Sequence, residues 1–318
     1  MPRAAFDVFF RGPAREHLIR AVREALAEDG TDVAANAVFD ARDVLRAEIV
    51  AKEDTVLAGL PLVPIILAET AASEPGARET GTSASAALGG GSALPAPGEW
   101  ETAAYAEDGD CLTAGAVTAC VAGSARVVLR AERVILNFLC RLSGIAALTR
   151  KYVNALEGTG VRLLDTRKTA PGLRYPDKYA VQAGGGCNHR KNLYEMAMLK
   201  DTHIEAAGGI TAAVQRLRAH LPPHVPVEVE CRTSSEAMEA AVCGVSRIML
   251  DNMSPEMVGS TLAMLPPHVE VELSGGIDLH NIRSFAFAGA KRRADFISVG
   301  RITHSAPAAD FSMRICRP

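Results

Sequence analysis

In the second half of the chain, charged residues and glycines collect at the ends of short apolar runs. The run 161–166 ends in Arg167-Lys168, 196–199 in Lys200-Asp201, 225–229 in Glu230 and 247–250 in Asp251-Asn252. The run 269–273 ends in Ser274-Gly275-Gly276 and 295–299 in Gly300, while Gly184-Gly185-Gly186 leads into Asn188-His189-Arg190. One polar terminus is an ordinary cap. Cations from the earlier runs together with acids from the later ones point to one shared mouth. Arg167, Lys168, His189, Arg190 and Lys200 are four fixed positive charges and one imidazole. Their mutual repulsion calls for a ligand with several negative charges. Arginine suits planar carboxylates, and lysine suits phosphate. Glu230 and Asp251 are the acids. They either hold Mg²⁺, which takes one or two carboxylates plus substrate oxygens, or pair with those cations. Two glycine turns after the last strands, at Ser274-Gly275-Gly276 and Val299-Gly300, together favour a phosphate cradle of backbone N–H groups over two plain turns. His203 and His304 lack metal-ligand spacing, so a structural role is the default for each. The residues alone describe an enzyme acting on a phosphorylated, polyanionic small molecule.

Such termini need strands to carry them. Strands are expected at 161–166, 196–200, 225–231, 247–251, 269–274 and 295–299, with amphipathic helices near 209–221, 235–243, 255–265 and 279–289. Strand–helix alternation predicts a parallel sheet with a covered outer face, and six strands at this spacing favour a barrel, whose C-terminal strand ends form the active-site mouth. Upstream, residues 14–28 have a helical apolar face, 37–68 read as short strands and turns, and 100–128 as strands. Residues 131–157 form one helical stretch that Gly144 could break, and 71–98 read as a low-complexity surface loop.

The 318 residues carry a formal net charge of −3 and 5% aromatics, which argues against nucleic-acid and anionic-membrane partners. No apolar run reaches a membrane-spanning length and no apolar leader stands at the start, so a cytoplasmic protein is expected. The seven cysteines form no C-x-x-C pair, which disfavours a zinc ribbon or a disulfide framework.

The string Asp165-Thr166-Arg167-Lys168-Thr169-Ala170-Pro171-Gly172, with Gly184-Gly185-Gly186-Cys187-Asn188-His189-Arg190 and Leu199-Lys200-Asp201, resembles the nicotinate-nucleotide pyrophosphorylase (carboxylating), or quinolinate phosphoribosyltransferase, family. Ala131-Glu132-Arg133, Glu228-Val229-Glu230, Leu250-Asp251-Asn252, Ser274-Gly275-Gly276-Ile277 and His304-Ser305-Ala306-Pro307 continue the likeness. The resemblance implies an α/β protein: an N-terminal α/β sandwich (1–130, with 71–98 inserted), an open α/β barrel (131–303) of the type II phosphoribosyltransferase kind, and a tail (304–318) returning to the sandwich. It implies transfer of phosphoribose from phosphoribosyl pyrophosphate to quinolinate, with decarboxylation, in NAD synthesis, and a homodimer or an assembly of dimers. By resemblance, Arg167, His189, Arg190 and Lys200 hold quinolinate, with Arg133 donated by the other subunit. Lys168, Glu230, Asp251, Ser274, Gly275 and Gly300 bind phosphoribosyl pyrophosphate and Mg²⁺, with His304 close by. Thr202 and Arg301 depart from the family pattern. A molybdenum-transport paralogue of the same fold, a non-catalytic nucleotide-binding barrel and an unrelated phosphate-binding isomerase are the competing readings; the full set of cations and acids favours quinolinate.

Overall fold

A computed structural model describes residues 3–74 and 99–316; most of the expected loop at 71–98 lies outside the described residues. In chain order come α1 (Arg3–Phe9), α2 (Pro13–Asp29), α3 (Val33–Val38), β1 (Val44–Ala51), β2 (Thr55–Val56) and α4 (Leu62–Ala72). Then follow β3 (Trp100–Ala104), β4 (Cys111–Leu112), β5 (Val117–Ser124), α5 (Ala125–Ala155), β6 (Arg162–Leu164), α6 (Arg174–Ala183) and β7 (Ala197–Leu199). The remainder is α7 (Asp201–Ala207), α8 (Ile210–His220), β8 (Val227–Cys231), α9 (Ser234–Val242), β9 (Arg247–Asp251), α10 (Pro255–Met264), β10 (Glu270–Ser274), α11 (Ile282–Ala286), β11 (Phe296–Ser298), α12 (Arg301–His304) and β12 (Phe311–Ile315).

The described chain forms two compact units. The first comprises residues 1–148, 170–185 and 306–318, and the second 149–169 and 186–305. The first border falls at 148/149 and not at the expected 130/131; both positions lie inside α5, which is one unbroken helix from Ala125 to Ala155. Gly144 does not break it. A Cβ there would lie 2.0 Å from the Pro307 carbonyl oxygen, so this glycine admits the returning tail, whose Ala309 N–H donates to Cys140 O at 2.8 Å.

In the first unit, β12, β1, β5 and β3 form an antiparallel sheet in that order. Of the face its periodicity predicts (Leu18, Ile19, Val22, Ala25 and Leu26), helix α2 buries Leu18, Val22 and Leu26, together with Ala14, and leaves Ile19 and Ala25 half-buried. Helix α4 corrects the expectation of strands and turns across 37–68. Its sequence LVPIILAETAA is apolar almost all round, so it has no stripe to betray a period, and most of it is buried. Helix α6 also belongs here. Arg141 grips its Asp177 with two bonds of 2.8 and 2.7 Å, and Tyr179 Oη donates to the buried Asp108 at 2.7 Å.

The second unit is built on a six-stranded all-parallel sheet in the order β6-β11-β10-β9-β8-β7. It has two edges, β6 and β7, as an open barrel requires; beside β6, Cys187 forms a single parallel bridge to Leu164. The strands are not continuously apolar. In Val-Glu-Val-Glu-Cys and Glu-Val-Glu-Leu-Ser the valines, leucine and cysteine are buried, while the alternate residues put carboxylates on the opposite face. Helix α9 opens with a complete capping box, Thr233 to Glu236, and α10 with Ser254 as N-cap before Pro255, as their sequences predict.

Candidate active site

Around the C-terminal ends of these strands lies a cavity of about 600 Å³. Its lining brings together Arg167, Lys168, His189, Arg190, Lys200, Glu230, Asp251, Ser274, Gly275, Gly300 and His304. Of the residues expected from sequence, Arg133 alone is outside this lining; it is exposed on α5 of the first unit. Arg301 also lines the cavity, 3.8 Å from Asp278.

The upper layer of the cavity is open to water. Lys200 Nζ stands 3.7 Å from Glu230 Oε2. Burial, and then the negative charge of Asp251, pushes the Glu230 carboxyl up, while Lys200 opposes. The backbone of Asn252 is left-handed, at φ 56°, and its Nδ2 donates to Asp251 Oδ2. Gly275, at φ +95°, is required twice over: a Cβ there would also lie 2.3 Å from Asn252 Oδ1. A Cβ on Gly300 would sit 3.1 Å from Lys168 Cδ and 3.4 Å from the His304 ring, so this glycine leaves room for those two side chains. Thr303 Oγ1 donates to Lys168 O at 2.9 Å and fixes the backbone behind it. His203 is structural: its Nδ1 accepts from Lys200 N–H at 3.1 Å and caps α7.

The lower layer is buried; sequence reasoning placed His189 and Arg190 in the site but assigned Glu228, Glu272 and Arg247 no role. Glu228 and Glu272 are wholly inaccessible, and His189 Nε2 lies 3.0 Å from Glu228 Oε2 and 3.4 Å from Glu272 Oε2. Arg247 reaches Glu272 at 3.4 Å and Glu270 at 2.8 Å, and its guanidinium stacks over Phe296, 4.2 Å from the ring centre. Burial alone would lower the His189 pKa, but the two glutamates outweigh it and raise it to about 9. Burial first, and then the charge of Glu272, drives Glu228 up. Asp165, also buried, accepts from His189 N–H at 2.8 Å and from Asn188 Nδ2 at 2.7 Å, which sets the 188–190 turn. The Arg190 guanidinium donates to Met196 O at 2.9 Å; burial, then the neighbouring Arg167, lowers its pKa. The signal for this layer was present in the period-two spacing of Glu228 with Glu230 and of Glu272 with Ser274.

His189, Glu228 and Glu272 offer ligand-type atoms within 4.8 Å of one another. Glu230 and Asp251 instead present hard oxygen donors in the open upper layer, beside the glycine turns, a donor set that suits Mg²⁺ shared with a phosphorylated substrate.

Comparison with known proteins agrees along most of the chain. Residues 145–314 match the model of the quinolinate phosphoribosyl transferase C-terminal domain, and 94–143 that of its N-terminal domain. A probable nicotinate-nucleotide pyrophosphorylase [carboxylating] of Methanothermobacter thermautotrophicus is 35% identical over 303 residues, covering 92% of this chain and 97% of the relative. Quinolinate phosphoribosyltransferase [decarboxylating] 1 of Nicotiana glauca is 34% identical over 315 residues, covering 92% and 81%. The crystal structure of NadC from Streptococcus pyogenes superposes with a TM-score of 0.80 at 37% identity, covering 93% of this chain and 95% of that one.

Proposed function

The chain belongs to the quinolinate phosphoribosyltransferase family, and from that premise we propose how its cavity carries out the family reaction. It transfers phosphoribose from phosphoribosyl pyrophosphate to the ring nitrogen of quinolinate. Carbon dioxide and pyrophosphate leave, and nicotinate mononucleotide is formed for NAD synthesis. The observation that carries the assignment of roles is one cavity lined by Arg167, Lys168, Arg190 and Lys200 together with Glu230, Asp251 and the Gly275 and Gly300 turns.

Arg167, Arg190 and Lys200 hold the two carboxylates of quinolinate, with His189 in support. Lys168, Ser274, Gly275 and Gly300 receive the phosphates, and His304 flanks them. As pyrophosphate leaves, positive charge builds on the ribose, and Glu230 and Asp251 stabilise it. Glu230 and Asp251 would hold Mg²⁺, which when bound neutralises the leaving pyrophosphate. Once the ring nitrogen is quaternised, its positive charge stabilises the electron pair left on the adjacent ring carbon as carbon dioxide departs, and that carbon takes up a proton from water; the basic pocket orients and desolvates the carboxylate, and no redox cofactor is needed.

The reading includes a homodimer in which Arg133 reaches the partner's cavity. Mixing Arg133→Ala with Lys200→Ala then restores about a quarter of wild-type activity, because half the dimers are mixed and each has one intact site. No helix among the described residues is long and apolar enough to cross a membrane, and the reading places the reaction in the cytoplasm. The test is purified protein with quinolinate, phosphoribosyl pyrophosphate and Mg²⁺, followed for nicotinate mononucleotide. Product should form, fall away in excess chelator and be far slower with nicotinate. Turnover unaffected by chelator would remove the metal, and equal use of nicotinate would remove the roles of Arg167, Arg190 and Lys200.

A further inference from the structure

We propose that Arg301 is a further substrate-binding residue of this cavity, gripping the phosphomonoester on C5 of the ribose together with Lys168, while Asp278 holds it in readiness. The proposal rests on reading this cavity as the phosphoribosyl pyrophosphate site, and it gives a role to a cation at the glycine turns that departs from the family pattern.

Arg301 follows Gly300 beyond the end of β11, and Asp278 follows the Gly275-Gly276 turn beyond the end of β10. Both line the cavity. The strand order puts β11 two strands from Asp251 on β9 and three from Glu230 on β8. At about 4.8 Å per strand, the backbone of Arg301 stands roughly 10 Å along the sheet from the first acid and roughly 14 Å from the second. Those acids serve C1, where pyrophosphate leaves. The substrate's other phosphate is a monoester on C5, across the sugar ring, and Arg301 stands on that side. A phosphate monoester carries about 1.5 to 2 negative charges at neutral pH. Lys168, packed at Gly300, supplies one positive charge. Arg301 supplies a second, on a planar fork of donors that suits phosphate oxygens.

In the free protein this guanidinium is held without being used up. Its Nη1 lies 3.8 Å from Asp278 Oδ2, an attraction of charges too long for a hydrogen bond. The oxygen of Tyr152, a fully buried side chain of α5, accepts from Arg301 and from the Leu279 backbone, which ties the arginine to the segment after the glycine turn. A hydroxyl oxygen has two lone pairs against the five donors of a guanidinium, and 52% of the Arg301 side chain is open to water. Asp278 divides its two oxygens. Oδ1 accepts from His280 N–H at 2.9 Å and from Asn281 N–H at 3.2 Å, which builds the turn, while Oδ2 faces Arg301. The charge of Asp278 opposes a phosphate, and Arg301 offsets it. Asparagine at 278 would keep the Oδ1 acceptor and remove the charge, so the two roles of this side chain can be separated.

The experiment is calorimetric titration of ribose 5-phosphate, without metal or quinolinate, into the wild type, Arg301→Ala, Asp278→Asn and the double variant. Quinolinate is titrated separately as the control for an intact cavity. Arg301→Ala should bind ribose 5-phosphate about 10- to 100-fold more weakly, with quinolinate affinity unchanged. Asp278→Asn should bind it more tightly than the wild type, and the double variant about tenfold or more weaker than Asp278→Asn. In turnover, Arg301→Ala should raise KM for phosphoribosyl pyrophosphate more than it lowers kcat. An Arg301→Ala variant that binds ribose 5-phosphate as the wild type does overturns the proposal. So does a double variant as tight as Asp278→Asn, since Arg301 would then only screen Asp278. A wild type that binds no ribose 5-phosphate removes the reading of the cavity and the proposal with it, whereas binding that Arg301→Ala leaves intact removes the proposal alone.

Discussion

Strands β8 and β10 each put two polar residues one repeat apart at the site, Glu228 with Glu230 and Glu272 with Ser274, and the two layers behave differently. In the upper layer Glu230 is half-buried, faces Lys200 across 3.7 Å and lies beside the open glycine turns. In the lower layer Glu228 and Glu272 are wholly buried and bound to His189 and Arg247. The residue type is the same, and a step of two residues changes its work. An accessible carboxylate can exchange water or a neighbouring cation for a ligand. A buried one cannot give up its partners without being left as an unpaired charge. The lower layer therefore shapes the site, and the upper layer is free to do chemistry.

This contrast can be broken from either side. The largest expected effect is on stability: Glu272→Ala leaves Arg247 and His189 short of a buried partner and should cost about 3–5 kcal/mol, read as a drop in the urea midpoint. In the upper layer Asp251→Asn should lower kcat/KM by about 10²–10³ while the stability read from urea unfolding stays within about 0.5 kcal/mol of wild type. A large loss of stability there would erase the distinction between the layers. Gly275→Ala should be intermediate, with backbone strain of about 1–3 kcal/mol and a raised KM for phosphoribosyl pyrophosphate. Lys200→Ala should change stability by less than about 1 kcal/mol, since its ion pair is half-exposed, however much activity it loses.

The smallest effect concerns buried carboxyls outside the barrel. Burial, opposed by the amides of Gly59 and Leu60 and by Tyr179, raises the pKa of Asp108. Its folded form holds a proton more tightly than the unfolded chain does. Its contribution is thus fully present below the ordinary Asp value, near about 4, and is lost as pH rises through the raised folded value. Asp108→Asn should flatten that part of the pH–stability curve, and an unchanged slope would show that Asp108 is not its source.

Elements with a clean period were legible before any coordinates. The stripe of α2, the capping box at Thr233 and the polar ends of all six barrel strands stand in the sequence because strand and helix periods are local properties. Helix α4 was not legible, since a segment buried on every side shows no period. The start of α5 at Ala125 was hidden for a related reason: Val127, Val128 and Ala131 are apolar and buried, and they continue the strand-like pattern of β5. Residue types and their order determined that cations and acids would stand at strand ends, and that Gly275 and Gly300 would break those ends open. Only the tertiary structure decided which carboxylates remain exposed. Glu228 and Glu230 differ by one strand repeat, about 6–7 Å, and the closeness of His189, Glu272 and Arg247 around the lower one depends on contacts between residues 25 or more positions apart. Sequence spacing cannot express that distance; the folding of the sheet sets it.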